Sequence, residues 1–310
     1  MATGDTIGAS PTLSHEELWM YDRVDTFLEY LRYEENYSEN TIGAYRNDLS
    51  QFLSFIETTG LDRWDAIKRE TIVNFLFHLR DREYASSTVA RKMAAVKSFF
   101  HHLVQAGEIH DDPTATVDSP KVKKYAPKAL TMEEVINLLA EPAKDCSVKG
   151  MRDRAMMELL YATGLRVSEL VGLQVGDMNL ASATLRCRGP RHSERILPIA
   201  PRALEALRVY LDRGRIQLLR DSNEQTLFLN MRGGRLTRQG LWLIIRYYVE
   251  QAGITAQVTP HTLRHSFAMH QLREGAELSE VQELLGHANI STTQVYAQAQ
   301  QDRASERERR

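Results

Sequence analysis

The chain has 310 residues, of which 43% are hydrophobic and 26% are charged, and this balance excludes a largely disordered protein. Its two cysteines, Cys146 and Cys187, are too few for a disulfide scaffold or a zinc ribbon. The first residues lack the charged-then-apolar layout of a signal peptide, and no uncharged apolar run reaches about 18 residues. We therefore expect a cytoplasmic protein without a membrane span.

The first domain is predicted over residues 14–115, after a disordered tail at 1–13. Ser14 with Glu17 forms a capping box, and apolar residues then recur at helical spacing. The pattern predicts four helices, which begin near Ser14, Ser38, Thr71 and Ser87. Because each helix carries an apolar stripe, the four are expected to pack as a small bundle.

A linker rich in lysine and proline is predicted at 116–130, followed by a second domain at 131–300 and a charged tail at 301–310. Thr131 with Glu134 forms a further capping box. Short strands are predicted at three places, 183–189, 194–200 and 226–230. The fold class is therefore mainly α (α+β), a helical domain followed by a second helical domain with a small antiparallel sheet.

Basic residues are concentrated, although the formal net charge is −2. Residues 87–105, 119–128 and 231–246 carry no acid, and 183–202 carries five arginines and one acid. A single basic stretch is equally well explained as a solvated surface. Four of them in one chain favour a polyanionic partner, because binding to phosphates depends on local potential.

Three groups in the second domain carry candidate chemistry. His261 and Arg264 are three residues apart on a predicted helix capped by Thr259, which suits a phosphate, although an exposed pair of this kind usually has no function. Arg166 follows a helix-ending glycine and meets either an anion or its neighbour Glu169. Tyr296 lies on a predicted helix, where a tyrosine is ordinarily core packing.

These motifs together resemble one family. The segments "ATGLRVSEL", "ERILPI", "TPHTLRHSFA" and "LLGHANISTTQVYA" occur in the order and spacing of the tyrosine recombinases, closest to the Xer group and the phage integrases. The resemblance covers essentially the whole chain, because the first domain is similar to the core-binding (SAM-like) domain of that family. It implies a two-domain enzyme that cleaves and rejoins DNA at specific sites.

The resemblance also implies a role for each matching residue. Tyr296 would be the nucleophile that forms a 3′-phosphotyrosyl link. Arg166 and Arg264 would hold the non-bridging phosphate oxygens. His261 would exchange a proton near the nucleophile, and His287 would hydrogen bond the phosphate. Glu169 would orient Arg166.

The hairpin "LRCRGPRHSERILPI" departs from the family, which carries a lysine there to protonate the leaving oxygen. Arg188 takes that place, with Arg191 as second choice. An arginine grips phosphate but is a poor proton donor, since its pKa exceeds about 12. Either His192 or water replaces it, or cleavage is slow, and we expect Arg188→Lys to speed cleavage.

The expected partner is double-stranded DNA carrying specific recombination sites, bound by a homotetramer, with a partner recombinase or regulator as a further possibility; no cofactor, metal or membrane is expected. The predicted DNA contacts are Arg91, Lys92, Lys97, Lys121, Lys123, Lys124, Arg191, Arg235 and Arg238. The expected biological role is chromosome or plasmid dimer resolution, or integration and excision of a mobile element. Two alternatives stay open, namely an architectural DNA-binding protein that has lost catalysis and a nicking-resealing enzyme like the type IB topoisomerases.

Overall fold

The computed structural model of this chain describes three ranges of residues, 15–120, 129–189 and 194–286. For residues 15–19 it describes the backbone alone. The chain divides into two compact units, Met1–Lys124 and Tyr125–Arg310, and the division falls inside the linker predicted at 116–130. Within the described ranges, no helix combines the length and apolar character that crossing a membrane requires.

The first unit contains the four predicted helices, α1 (His15–Tyr33), α2 (Glu39–Glu57), α3 (Arg69–Asp81) and α4 (Ser86–Gln105). Ser38 caps α2 as predicted, because its hydroxyl accepts a main-chain N–H of the first turn at 3.3 Å. Helix α4 begins one residue before the predicted Ser87, with Ala85 at the N-cap position and no side-chain cap. The predicted cap Ser14 lies outside the described residues.

Aromatic rings fill the core of the first unit. Trp64, which lies in a short 3-10 turn between α2 and α3, is 1% exposed and meets the edge of Phe99 at a centroid distance of 4.7 Å. Phe52 of α2 contacts Phe75 of α3 in the same edge-to-face manner at 4.9 Å. Because these rings come from three helices and the turn, they hold the bundle together.

The second unit contains eight α-helices in the described residues, α5 (Met132–Ala140), α6 (Val148–Thr163), α7 (Val167–Gly172), α8 (Pro201–Val209), α9 (Ile216–Leu218), α10 (Arg238–Gln251), α11 (Pro260–Arg273) and α12 (Leu278–Leu285). The capping box predicted at α5 is present, with Thr131 N donating to Glu134 Oε2 at 2.7 Å. Thr259 caps α11 as predicted, and Pro260 occupies the first turn of this helix.

The sheet has three antiparallel strands in the order β1 (Met178–Asn179), β2 (Thr184–Arg188) and β3 (Glu194–Pro198). The register pairs Cys187 with Arg195 and Arg188 with Glu194. Strands β2 and β3 confirm the predicted hairpin. The mainly α fold class with a small antiparallel sheet is likewise confirmed.

The strand predicted at 226–230 is wrong. Leu227, Phe228 and Leu229 are each 0% exposed, so they form a continuously buried segment and lack the alternation of a sheet with one solvated face. The segment makes two isolated bridges, Gln174 with Thr226 and Leu229 with Arg235, and does not join the sheet.

The junction between α6 and α7 requires glycine. Gly164 ends α6 with φ +58, a left-handed conformation that glycine adopts without cost. A Cβ atom at this position would lie 2.5 Å from the Phe267 ring of α11 and 2.9 Å from Leu285 of α12. The close approach of three helices at this glycine fixes the direction in which the chain enters Arg166, two residues later.

Candidate active site

Arg166 forms the N-cap of α7 and is held in place by Glu169 in the first turn. The main-chain N–H of Arg166 donates to Glu169 Oε2 at 2.7 Å, and its Nη1 donates to Oε1 at 2.8 Å. A third donor, Nη2, contacts the carbonyl oxygen of Gly286 at 2.7 Å. The structure therefore contains both the predicted pair and a link to the end of α12.

Arg264 lies on α11 and is only 5% exposed. Its Nη1 donates to the carbonyl of Gly164, and its Nη2 donates to the carbonyl of Leu285 at 2.7 Å. Leu285 and Gly286 are consecutive, so Arg264 and Arg166 donate to neighbouring carbonyls. The two guanidinium groups thus meet at one place, the carboxyl end of α12.

The remaining predicted residues of this site are His261, His287 and Tyr296. His261 is exposed and lies one turn before Arg264 on α11. His287 and Tyr296 lie outside the described residues. The described chain ends at Gly286, which closes α12 in a left-handed conformation with φ +62, so His287 is the next residue after the carbonyl that Arg166 contacts.

The structure adds Arg195, which is not among the site residues predicted from the sequence. Its Nη1 and Nη2 donate to the two oxygens of Glu169 at 3.0 and 2.9 Å, and its Nε donates to the carbonyl of Leu284 at 2.9 Å. A signal was available in "ERILPI", where strand alternation places Arg195 on the same side as the buried Leu197. An inward arginine requires a buried anion, and Glu169 supplies it.

Burial and hydrogen bonding act in opposite directions on Glu169. Burial alone would raise the pKa of this carboxyl, but the hydrogen bonds from Arg195 and from the Arg166 main chain outweigh burial and lower the pKa below its ordinary value. The carboxylate is therefore ionised at neutral pH and shared by two guanidinium groups. Nearby, burial raises the pKa of the Cys187 thiol to about 11, so this thiol stays neutral.

Arg188 lies on β2 with its side chain about half exposed. Cys187 before it is buried, so alternation directs Arg188 to the opposite, exposed face of the sheet. Its Nη2 lies 3.1 Å from Asp177 Oδ1 and its Nε lies 3.8 Å from Glu194 Oε1. Asp177 is 6% exposed, so this arginine is fixed by a largely buried carboxylate.

The prediction that Lys92 contacts DNA is corrected by the structure. Lys92 is 2% exposed, and its Nζ donates to Asp48 Oδ1 at 2.9 Å, so its ammonium is neutralised inside the first unit. Helical spacing without tertiary contacts could not show which basic residues of α4 turn inward. Its neighbour Arg91 also contacts Asp48, but half of the Arg91 side chain remains exposed.

The other predicted DNA contacts are distributed over both units. Lys97 is partly exposed on α4, and Arg238 is exposed in the first turn of α10. Arg235 is exposed and its Nε donates to the carbonyl of Val171 at 2.9 Å, which fixes its position near the end of α7. Four predicted contacts lie outside the described residues, namely Lys121, Lys123, Lys124 and Arg191.

Two family models match this chain. The phage integrase family matches residues 128–303, and the N-terminal SAM-like domain of phage integrases matches residues 24–107. The tyrosine recombinase XerC of Herpetosiphon aurantiacus is 50% identical over 285 residues, which cover 92% of this chain and 93% of the relative. The chain belongs to the phage integrase family. The tyrosine recombinase XerD of Staphylococcus epidermidis is 43% identical over 273 residues, covering 88% of this chain and 92% of that relative.

Solved structures share the fold of this phage integrase family member. The XerA recombinase is 30% identical with a TM-score of 0.50, covering 89% of this chain and 93% of that chain. The XerH site-specific recombinase bound to palindromic difH substrate has a TM-score of 0.73 at 22% identity, covering 91% and 82% of the two chains. The predicted SAM-like first domain and integrase-type second domain are confirmed.

The predicted enzyme class is also confirmed: this integrase family member is a tyrosine recombinase, and its reaction is site-specific DNA recombination. The two alternatives, an architectural protein and a nicking-resealing enzyme, are not favoured by these matches. In the part of the chain that the structure describes, no group of three or more His, Cys, Asp or Glu side chains is arranged to hold a metal ion.

Proposed function

We propose that Tyr296 attacks a DNA phosphodiester that Arg166 and Arg264 hold. The supporting observation is that these two arginines donate to consecutive carbonyls, at 2.7 Å from Gly286 and 2.7 Å from Leu285, directly before the segment that carries the tyrosine. Two guanidinium groups at one place provide the paired positive charge that a phosphate needs as negative charge grows on its oxygens.

The cleavage step forms one bond and breaks one bond at phosphorus, and side chains of this protein or water take up and supply the protons. The phenolic oxygen of Tyr296 bonds to phosphorus while the bond from phosphorus to the 5′ oxygen breaks, and the phenolic proton passes to His261. His287 hydrogen bonds a non-bridging oxygen, and the leaving 5′ oxygen takes a proton from His192 or water. The phosphotyrosyl ester conserves the energy of the broken bond, so attack by a 5′ hydroxyl reseals the strand.

The protein binds specific recombination sites on double-stranded DNA. Two such sites come together for strand exchange, and four protomers assemble on them. Basic residues that are exposed or partly exposed, among them Arg91, Lys97 and Arg238, contact the DNA phosphates. The finer biological role that we propose is Xer-type dimer resolution, because the relatives that are 50% and 43% identical carry the names XerC and XerD. This role places the protein in the cytoplasm with the nucleoid.

A nicked suicide substrate tests the nucleophile. The nick lets the short cleaved strand diffuse away, so a covalent protein–DNA complex accumulates and is counted on a denaturing gel. We expect the complex with the wild type and none with Tyr296→Phe, since phenylalanine has no oxygen to attack phosphorus. Tyr33→Phe is the matched control, because Tyr33 is 69% exposed on α1. A complex formed by Tyr296→Phe would refute the assignment.

Lysine at position 188 should accelerate cleavage. An ammonium group can donate a proton to the leaving oxygen, whereas a guanidinium group holds its proton too tightly. General acid catalysis contributes about 10²–10⁴-fold, so a partial gain of about 10-fold is expected for Arg188→Lys in single-turnover cleavage at saturating DNA. Arg186→Lys on the same strand is the control and should leave the rate unchanged. An equal or lower rate for Arg188→Lys would show that another group already serves as the acid.

A further inference from the structure

We infer that Arg195 is a positioning residue that joins Glu169 to the carboxyl end of α12. The inference rests on the proposed function, since it concerns how Arg166 and the segment after Gly286 are brought to the phosphate. Three donors of one guanidinium group are used for this, two on Glu169 and one on the carbonyl of Leu284. Its side chain is only 12% exposed.

Arg195 completes the contacts that keep the Glu169 carboxylate in one orientation. Each oxygen of Glu169 accepts one hydrogen bond from Arg195 and one from Arg166. The fork of Arg195 matches the carboxylate plane, so it fixes both the rotation and the position of that plane. Arg166 bonds to the same two oxygens, and its guanidinium is therefore aimed indirectly by Arg195.

Three successive carbonyls at the end of α12 each accept from a different arginine, Leu284 from Arg195, Leu285 from Arg264 and Gly286 from Arg166. The last carbonyls of a helix lack partners within the helix and carry the negative end of its dipole, so cations bind there. Arg195 is the member of this trio that comes from the sheet. It thereby connects strand β3 to the carboxyl end of α12, shortly before His287 in the sequence.

Gly286 gives independent support for this close fit. A Cβ atom on Gly286 would lie 2.8 Å from Nη1 of Arg195 and 3.1 Å from its Cζ. The main chain of Gly286 thus lies directly against the guanidinium group, and φ of +62 already disfavours other residues there. An alanine would both strain the backbone and displace the guanidinium group from Glu169.

The function of Arg195 predicts a loss of rate without a loss of DNA affinity. Misplacing reacting groups by about 1 Å costs about 10²-fold in rate. We expect Arg195→Ala and Arg195→Lys to form the covalent complex about 10²-fold more slowly at saturating DNA, with unchanged affinity for an intact site. Lysine keeps the charge but cannot fork onto the carboxylate, so it should not rescue. Gly286→Ala should have the same phenotype.

Arg213→Ala, which removes an exposed arginine from the same unit, is the control and should cleave like the wild type. A wild-type rate for any folded Arg195 variant would overturn the inference, as would a loss confined to DNA affinity. If Arg195→Ala unfolds, as judged by thermal melting, Arg195→Lys and Gly286→Ala decide the outcome. Failure of the wild type itself to form the complex would count against the proposed function, and this result is distinguishable from a defect of the variants.

Discussion

Replacing Arg264 with alanine is expected to lower the rate of DNA strand cleavage by about 10³-fold or more. Removing one preorganised donor from a developing oxyanion costs about 10²–10³-fold, and removing an arginine from a phosphoryl-transfer site costs about 10³–10⁵-fold. In its proposed role Arg264 combines both effects, because it is a charged group that is 5% exposed and therefore acts in a low dielectric. Single-turnover cleavage of the nicked substrate at saturating DNA measures the loss.

The control for Arg264 is Arg273→Ala, which removes an exposed arginine from the last turn of the same helix and should leave the rate unchanged. Arg264 also ties Gly164 to Leu285 through their carbonyls, so thermal melting must accompany the kinetics. Arg264→Lys retains the charge but not the fork, and we expect it to remain at least about 10²-fold slow. A folded Arg264→Ala that cleaves within tenfold of the wild type would exclude Arg264 from phosphate binding.

Replacing Asp48 with alanine is expected to destabilise the first unit by about 3–5 kcal/mol, the usual cost of leaving a buried charge without its partner. Lys92 is 2% exposed and Asp48 is 1% exposed, so water cannot replace the missing carboxylate without opening the bundle. Urea unfolding followed by tryptophan fluorescence measures the change. Trp64 is the natural reporter, because it is buried in the core of this unit.

Two further variants separate the buried charge from the loss of a contact. Asp48→Ala combined with Lys92→Met removes both charges and should recover most of the stability, since an apolar pair of similar volume is often neutral or better. Asp25→Ala breaks an exposed ion pair with Arg46 and should cost no more than about 1 kcal/mol. If Asp48→Ala costs as little as Asp25→Ala, the Lys92 ammonium reaches water in solution.

The local features of this recombinase were predictable from its amino-acid order. Helix starts were predictable at Ser38, Thr131 and Thr259, because a cap uses a hydroxyl and a main-chain N–H only a few residues apart. The ion pair between Arg166 and Glu169 was predictable for the same reason, because a separation of three residues at the start of a helix brings the two side chains together. The family followed from the order and spacing of four motifs, which the comparisons bear out.

The contacts between groups that are distant in the chain became visible only in the folded protein. Arg195 bonds to Glu169 across 26 residues of chain and Arg166 bonds to Gly286 across 120, and no local spacing encodes such contacts. The burial of Lys92 was equally unpredictable from the sequence, because Lys92 turns inward only where Asp48 of another helix neutralises its charge. Residues 226–230 read as a strand because apolar runs suit either a sheet or a buried loop. A sequence specifies hydrogen bonds within one turn, whereas the partners of a long charged side chain depend on how helices and strands pack.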